Sequence, residues 1–244
     1  LNVRIQGLIW FYDTGFGCQI SFPSQTLNTR GFGLGFPRMS LGSLAELKRP
    51  THVLNNCRRL RRHTMLLPLL ATFLLPGKVA SVEFIATDSE WKLYRGKTSP
   101  TRPDYWAWLE PDYNDYKWEV ARSPIFFGEK FESGTELEDM RNRYISFFLR
   151  RKFDSGNPEY VQSMTLKTLC DDGFVAWING VEVARVNVTI EKPKYNTTAS
   201  KSAREPLRFI EYDLPDPSEF LKEGENTIAI IVLNQSRSSS DAAF

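Results

Sequence analysis

The sequence predicts an all-β sandwich or barrel, and three observations lead there. Period-2 runs of five to ten residues recur through the second half of the chain. Clusters of Gly, Pro, Asn and Asp separate them. Asn179-Gly180 lies between two such runs, where a type I′ hairpin turn needs residues that accept positive φ.

The elements follow in order. Tyr144–Phe153 alternates, with Ile145, Phe147, Leu149 and Phe153 on one face and Ser146, Arg150 and Lys152 on the other. Ser163–Leu169 follows the turn residues GNPEY. Phe174–Ile178 is apolar on both faces, as expected of a strand with core on both sides or with one face under a loop. Val181–Val188, Arg208–Leu214 and Thr227–Leu233 complete the set. Asp171-Asp172-Gly173 suits a tight connection, so Met164–Leu169, Phe174–Ile178 and Val181–Val188 are expected to form one meander. Asp216–Gly224 is the one helical feature, a single apolar turn with Ser218 as N-cap and Gly224 as stop. Tyr195–Glu205 is polar enough for a long loop.

The N-terminal third reads differently. Leu66–Pro76 is an apolar run, preceded by the basic Arg58–His63 and followed by Gly77–Ser81, with small residues at Val79 and Ser81. This is the pattern of a secretory signal peptide. The run is too short to span a bilayer, which takes roughly 20 residues; a short buried helix would not explain the flanks. The expected organisation is therefore residues 1–64 as unstructured upstream sequence or a long basic n-region, 65–81 as the signal, and 82–244 as one β domain. Met39 and Met65 are the candidate starts. Charge changes sign at the same border: residues 1–81 carry a net +8 and residues 82–244 a net −6. An acidic domain without a basic block has no electrostatic footprint for nucleic acid.

Both histidines, His52 and His63, precede the border, and Cys170 is the one cysteine after it. This removes Ser-His and Cys-His nucleophile pairs, histidine-ligated zinc and an internal disulfide from the expected chemistry. No Gly-rich loop follows a strand and opens a helix. Two kinds of site remain. Asp171, Asp172 and Asp241 sit at strand ends and offer the hard oxygen ligands that a structural calcium ion takes. Adjacent acids in a turn are also ordinary solvated turn formers, and nothing in the sequence sets two of them across a substrate bond. The segment Asp104–Trp118 holds Trp106, Trp108, Tyr113, Tyr116 and Trp118. Trp108 and Trp118 are expected to plug the sandwich, whereas Trp106 and Tyr113 flank the polar Glu110-Pro111-Asp112 turn and offer ring faces to a sugar.

Several stretches, taken in order, carry a resemblance. They are WKLYRG (Trp91–Gly96), the aromatic segment, SPIFFGE (Ser123–Glu129), Gly134–Phe153, Cys170–Asn187, Tyr195–Ser200 and Leu221–Phe244. Together they resemble galactose-binding-domain-like modules of large secreted bacterial proteins with lamin-tail, spore-coat-kinase-like or phosphoesterase neighbours. A similar layout occurs in the sugar-binding domains of family-two glycosidases. The resemblance covers most of residues 90–244 and implies a jelly-roll β-sandwich without catalytic residues of its own. Relatives run on from Ser-Ser-Asp through another strand, so it also implies a strand beyond Phe244.

The expectation is thus a secreted, glycan- or polysaccharide-binding accessory module without a membrane span, beside neighbouring domains of a longer protein. Its candidate ligand residues are Asp171, Asp172, Trp106, Tyr113, Asn196, Ser239 and Asp241. The alternatives are a ligand-free interdomain module, or the N-terminal piece of a hydrolase whose active residues lie beyond Phe244. N-terminal sequencing of the exported protein is expected to find Val82 first or close to it. A mature chain starting before Met65 would remove the signal from its assigned place.

Overall fold

The computed structural model describes Arg4–Phe11 and residues 78–244. These belong to one of two units of the chain; the other, Thr14–Leu75, lies outside the described residues, as does most of the expected signal peptide. The strands are β1 (Arg4–Phe11), β2 (Lys78–Ile85), β3 (Glu90–Arg95), β4 (Glu119–Arg122), β5 (Ile125–Phe127), β6 (Thr135–Glu136), β7 (Ser146–Asp154), β8 (Val161–Thr168), β9 (Gly173–Ile178), β10 (Val181–Val186), β11 (Ile210–Asp213), β12 (Glu225–Leu233) and β13 (Ala242–Ala243). They form a four-stranded sheet in the order β11-β8-β1-β2 and a six-stranded sheet in the order β10-β9-β12-β7-β3-β4. A small third sheet has the order β13-β5-β6. Only the β5–β6 pair is parallel among the described strands. The fold is a β-sandwich.

Alternation explains how the two large sheets close on each other. Met164 and Leu166 of β8 and Ile85 of β2 face Leu93, Phe147, Leu149, Ala176, Ile178, Ile228, Ile230 and Val232 of the six-stranded sheet. The intervening residues of that sheet point outward. Phe148, Val175, Trp177, Ala229, Ile231 and Leu233 are nonetheless buried, because Trp108, Leu109, Trp118, Val188 and Ala199 cover them. Burying a large apolar side chain contributes roughly 1.5–3 kcal/mol, so the five large ones among them, left uncovered, would forfeit an amount comparable with a domain's whole net stability of about 5–15 kcal/mol. The cover is therefore part of the fold, and β9 is buried at every residue, as its two-faced apolar sequence predicts.

The structure differs from the sequence reading in three places. The expected meander is broken: β8 belongs to the four-stranded sheet, whereas β9 pairs with β10 and β12. A tight turn predicts a change of direction but not a partner. β9, apolar on both faces, takes an interior place in the sheet buried on both sides, and β8 keeps exposed residues such as Gln162 and Ser163. The turn at Asp216–Gly224 is a 3-10 turn, Pro217–Glu219, capped by Asp216, whose side chain accepts from the Ser218 N–H, and not by Ser218. Finally, Arg4–Phe11, within the segment expected to be unstructured, is a strand between β2 and β8. Cleavage after Ser81 would remove it together with Lys78–Ser81 of β2.

The Asn179-Gly180 turn has φ of 51° and 83°, the positive pair a type I′ turn requires. Asn179 also works at a distance. Its Nδ2 donates to the Phe220 carbonyl (2.8 Å) and to Asn226 Oδ1 (2.6 Å), and its Oδ1 accepts from the Thr227 N–H (3.0 Å). Asn226 is fully buried, and its Nδ2 donates to Ser155 Oγ and to the Lys222 and Gly224 carbonyls. The hairpin is thus tied to the loop before β12. Asn179→Pro forces a negative φ and removes the three side-chain hydrogen bonds as well as the backbone N–H bond to the Thr227 carbonyl (2.9 Å), so it is expected to cost roughly 3–6 kcal/mol in thermal or denaturant unfolding. Glu182→Ala, which removes only an exposed pair with Arg185, should stay within about 1 kcal/mol.

Candidate functional site

The chain passes between the two large sheets at Cys170-Asp171-Asp172-Gly173, and that crossing gathers the polar residues of one end of the sandwich. Gly173 is required by close approach: a Cβ there would lie 2.8 Å from the Val186 carbonyl oxygen and 3.2 Å from that of Asn187. Asp172 is buried, and its two carboxylate oxygens accept from the backbone N–H groups of Ala203 (2.7 Å) and Gln235 (2.7 Å). Its own carbonyl accepts from Asn187 Nδ2 (2.8 Å). Asp172 therefore holds together the loop after Tyr195, the segment after β12 and the end of the β9–β10 hairpin.

Asp171 has the opposite character. Its backbone pairs with Ala243 (2.9 and 3.2 Å), and its side chain meets Glu129 and Asp241, one carboxylate oxygen of each lying within 4.8 Å of the others. Asp171 is 4% exposed, and its Oδ2 is buried without a hydrogen-bond partner among the described residues. Two like charges at such a separation repel by roughly 3–4 kcal/mol at an effective dielectric constant of about 20. Burial first, then the hydrogen bond with Asp172 and the charges of Asp172, Asp241 and Glu205, push the Asp171 carboxyl up to about 8. Burial, with Glu205 and Asp241, also raises Glu129. Asp241 accepts from Ser239 Oγ (3.2 Å) and Ser240 Oγ (3.1 Å), and its carbonyl accepts from Asn234 Nδ2 (2.7 Å). Burial and the two aspartates push the Cys170 thiol well up, so it stays protonated.

Beside this cluster opens a cavity of about 650 Å³. Leu207, Phe209 and Tyr212 supply an apolar wall, and Asp172, Asn187, Ser202, Arg204, Glu205 and Arg208 supply polar groups. Phe209 packs on Leu169 and Phe126 beneath, and Tyr212 rests edge-on against Phe174 at 5.5 Å.

The structure thus brings four of the sequence-predicted residues, Asp171, Asp172, Ser239 and Asp241, to one end. Asn196 is exposed in a separate shallow depression with Lys192, Lys194 and Thr197. Trp106 and Tyr113 lie on the outer face of the six-stranded sheet, Trp106 edge-on to Trp177 (6.4 Å) and Tyr113 on Trp118 (6.0 Å). Neither lines the cavity; Phe209 and Tyr212 take the wall position expected of them. Glu129, Glu205, Phe209 and Tyr212 were not singled out from the sequence. The last two stand in a run that reads as an ordinary strand, and Glu129 follows β5 with no partner in sight along the chain.

Fold and site together define a β-sandwich module with a loop-end cavity and an adjoining carboxylate cluster. No protein-family model matches the chain, and no curated protein is significantly similar to it. Among solved structures it is similar to a β-glucuronidase of glycoside hydrolase family 2, at 18% identity and a TM-score of 0.36, over 60% of this chain and 13% of that one. A β-glucuronidase of an uncultured Clostridium sp. gives 18% identity and a TM-score of 0.38, over 60% of this chain and 21% of that one. A β-D-mannosidase from Dictyoglomus thermophilum gives 14% identity and a TM-score of 0.32, over 62% and 16%. The chain spans about a fifth or less of the length of those enzymes.

Asp172→Ala would leave two part-buried N–H groups without their acceptors. Each charge-assisted bond is worth about 1.5–3 kcal/mol, so a loss of roughly 3–5 kcal/mol is expected in unfolding experiments. Hydrogen exchange should accelerate at the Ala203 and Gln235 amides before it does so elsewhere; unchanged protection at both would show that Asp172 does not anchor these loops.

Proposed function

We propose that this β-sandwich is a non-catalytic carbohydrate-binding accessory module of a secreted multidomain protein, with the glycan in the cavity between Tyr212 and Asn187. The observation that carries the reading is the composition of that cavity. Aromatic side chains on one wall suit the C–H surfaces of a sugar, and the arginines, Glu205 and Asn187 suit its hydroxyls. The motif resemblance of the DDG crossing and its hairpin supports the same class. Glycoside cleavage needs two carboxyl groups on opposite sides of the scissile bond, roughly 5–9.5 Å apart. Glu129, Asp171 and Asp241 instead crowd within 4.8 Å of one another, with Asp171 buried. Among the described residues no helix is long and apolar enough to cross a membrane.

A second reading, a ligand-free interdomain module, draws on the aromatic segment. Trp108 and Trp118 are buried in the outer layer, and Trp106 and Tyr113 pack against it, so these rings serve packing.

A glycan array probed with the full chain, followed by titration calorimetry on the best glycan, tests the proposal. The expected Kd is about micromolar to millimolar, as for an open site with few buried contacts. Arg208→Ala, at an exposed position, should weaken it at least tenfold while Trp106→Ala leaves it unchanged. Unchanged binding in Arg208→Ala would move the site elsewhere, and no binding to any glycan would favour the ligand-free module.

A further inference from the structure

We propose that Glu129, Asp171 and Asp241 form a site for one divalent cation of the calcium class. They meet for a topological reason. β13 lies between β5 and Asp171: Ala242 and Ala243 pair with Phe127 and Phe126, and Ala243 exchanges backbone hydrogen bonds with Asp171. Asp241 immediately precedes β13, and Glu129 follows β5 by two residues. The antiparallel register therefore carries both acids to the side of Asp171.

A surface cluster of acids is commonly just solvated. This one has a buried member with an oxygen left over. Asp171 is 4% exposed, its side chain meets two further carboxylates, and its Oδ2 has neither water access nor a hydrogen-bond donor among the described residues. A buried carboxylate oxygen in that state is costly unless a cation or donor meets it. None of the three acids is ion-paired with Lys or Arg among the described residues. A second buried oxygen without a partner, Asn234 Oδ1, belongs to the side chain whose Nδ2 holds the Asp241 carbonyl.

The donor set selects the ion. All donors are oxygens, with no imidazole or thiolate among the three, which favours a hard cation over zinc or copper. Three protein carboxylates at one point suit calcium, which takes six to eight oxygens in irregular geometry. Magnesium prefers one or two carboxylates and keeps its waters. Asp172, whose oxygens both serve backbone amides, is not a ligand. A bound ion would fasten the end of β5, the crossing between the sheets and β13 to one another.

The inference is independent of the glycan reading, and its test uses the ion alone. The full chain, stripped with EDTA and titrated with calcium chloride, is expected to show one site by calorimetry with a Kd of about 1 mM or tighter, and a Tm that rises with calcium. Asp171→Asn keeps the shape and removes the ionisable carboxyl that would meet the ion. It should melt at or above the wild-type temperature without calcium and lose the calcium response. Glu129→Gln, at a half-buried position, should weaken binding at least tenfold and decides the matter if Asp171→Asn fails to fold. No heat and no Tm shift at about 10 mM calcium would overturn the proposal. So would an unchanged Kd in Glu129→Gln, or an equal response to magnesium.

Discussion

The buried guanidinium of Arg150 is the interaction on which the outer half of this sandwich depends. It projects from β7 on the face away from the main core, where solvent would be expected, and its side chain is fully buried. Nε donates to Asp115 Oδ2 (2.9 Å), Nη1 to the Trp108 carbonyl and Nη2 to the Glu110 carbonyl (3.2 Å), while the Tyr113 ring lies 5.2 Å from the guanidinium carbon. A buried charge is tolerated only when paired and hydrogen-bonded, and a planar fork with several fixed donors can meet that demand with backbone carbonyls. Those carbonyls all belong to the aromatic segment. Arg150 thereby pins Trp108 and its neighbours over Phe148 and Trp177, at ring separations of 4.9 and 5.7 Å, and gives the six-stranded sheet its second apolar layer.

The same economy of polar contacts shapes the loop end. Asp171 and Asp172 are neighbours in sequence with the same side chain, yet one is fully engaged and the other is not. Asp172 reaches two backbone N–H groups and acts as a fastener for loops. Asp171 reaches only other acids. At the crossing between the sheets the loops of the later half hold Asp172, whereas Asp171 lies beside β13 and meets Glu129 after β5. Buried polar groups are nearly always satisfied, which is why Asp172 reads as scaffold and Asp171 as the residue with unfinished chemistry.

Asparagines perform a comparable role at the opposite turn. Asn179 supplies both the positive φ and three side-chain hydrogen bonds, and Asn226 supplies the buried partner. The turn chemistry and the tertiary tie therefore reside in one residue. Short polar side chains suit this double use, since they tolerate left-handed backbone and can still donate and accept at once.

What the sequence determined by itself was local. Alternation in Tyr144–Phe153 and the β-branched apolar run Thr227–Leu233 placed β7 and β12, the two-faced run Phe174–Ile178 announced a strand buried on both sides, and Asn179-Gly180 announced its turn. These signals sit within a few residues of one another because side-chain direction in a strand repeats every two residues. The tertiary structure decided the rest. It separated β8 from β9, since a turn does not name a strand's partner. It buried Arg150, which alternation alone would have left on a polar face, because a segment far upstream folds over it. It made Arg4–Phe11 a neighbour of β8, and it brought Glu129 and Asp241 to Asp171 through the pairing of the two-residue strand β13. Contacts between residues so far apart in the chain leave no local period to read; they arise only when the sheets close and each buried polar group must find whatever partner the closed sandwich presents.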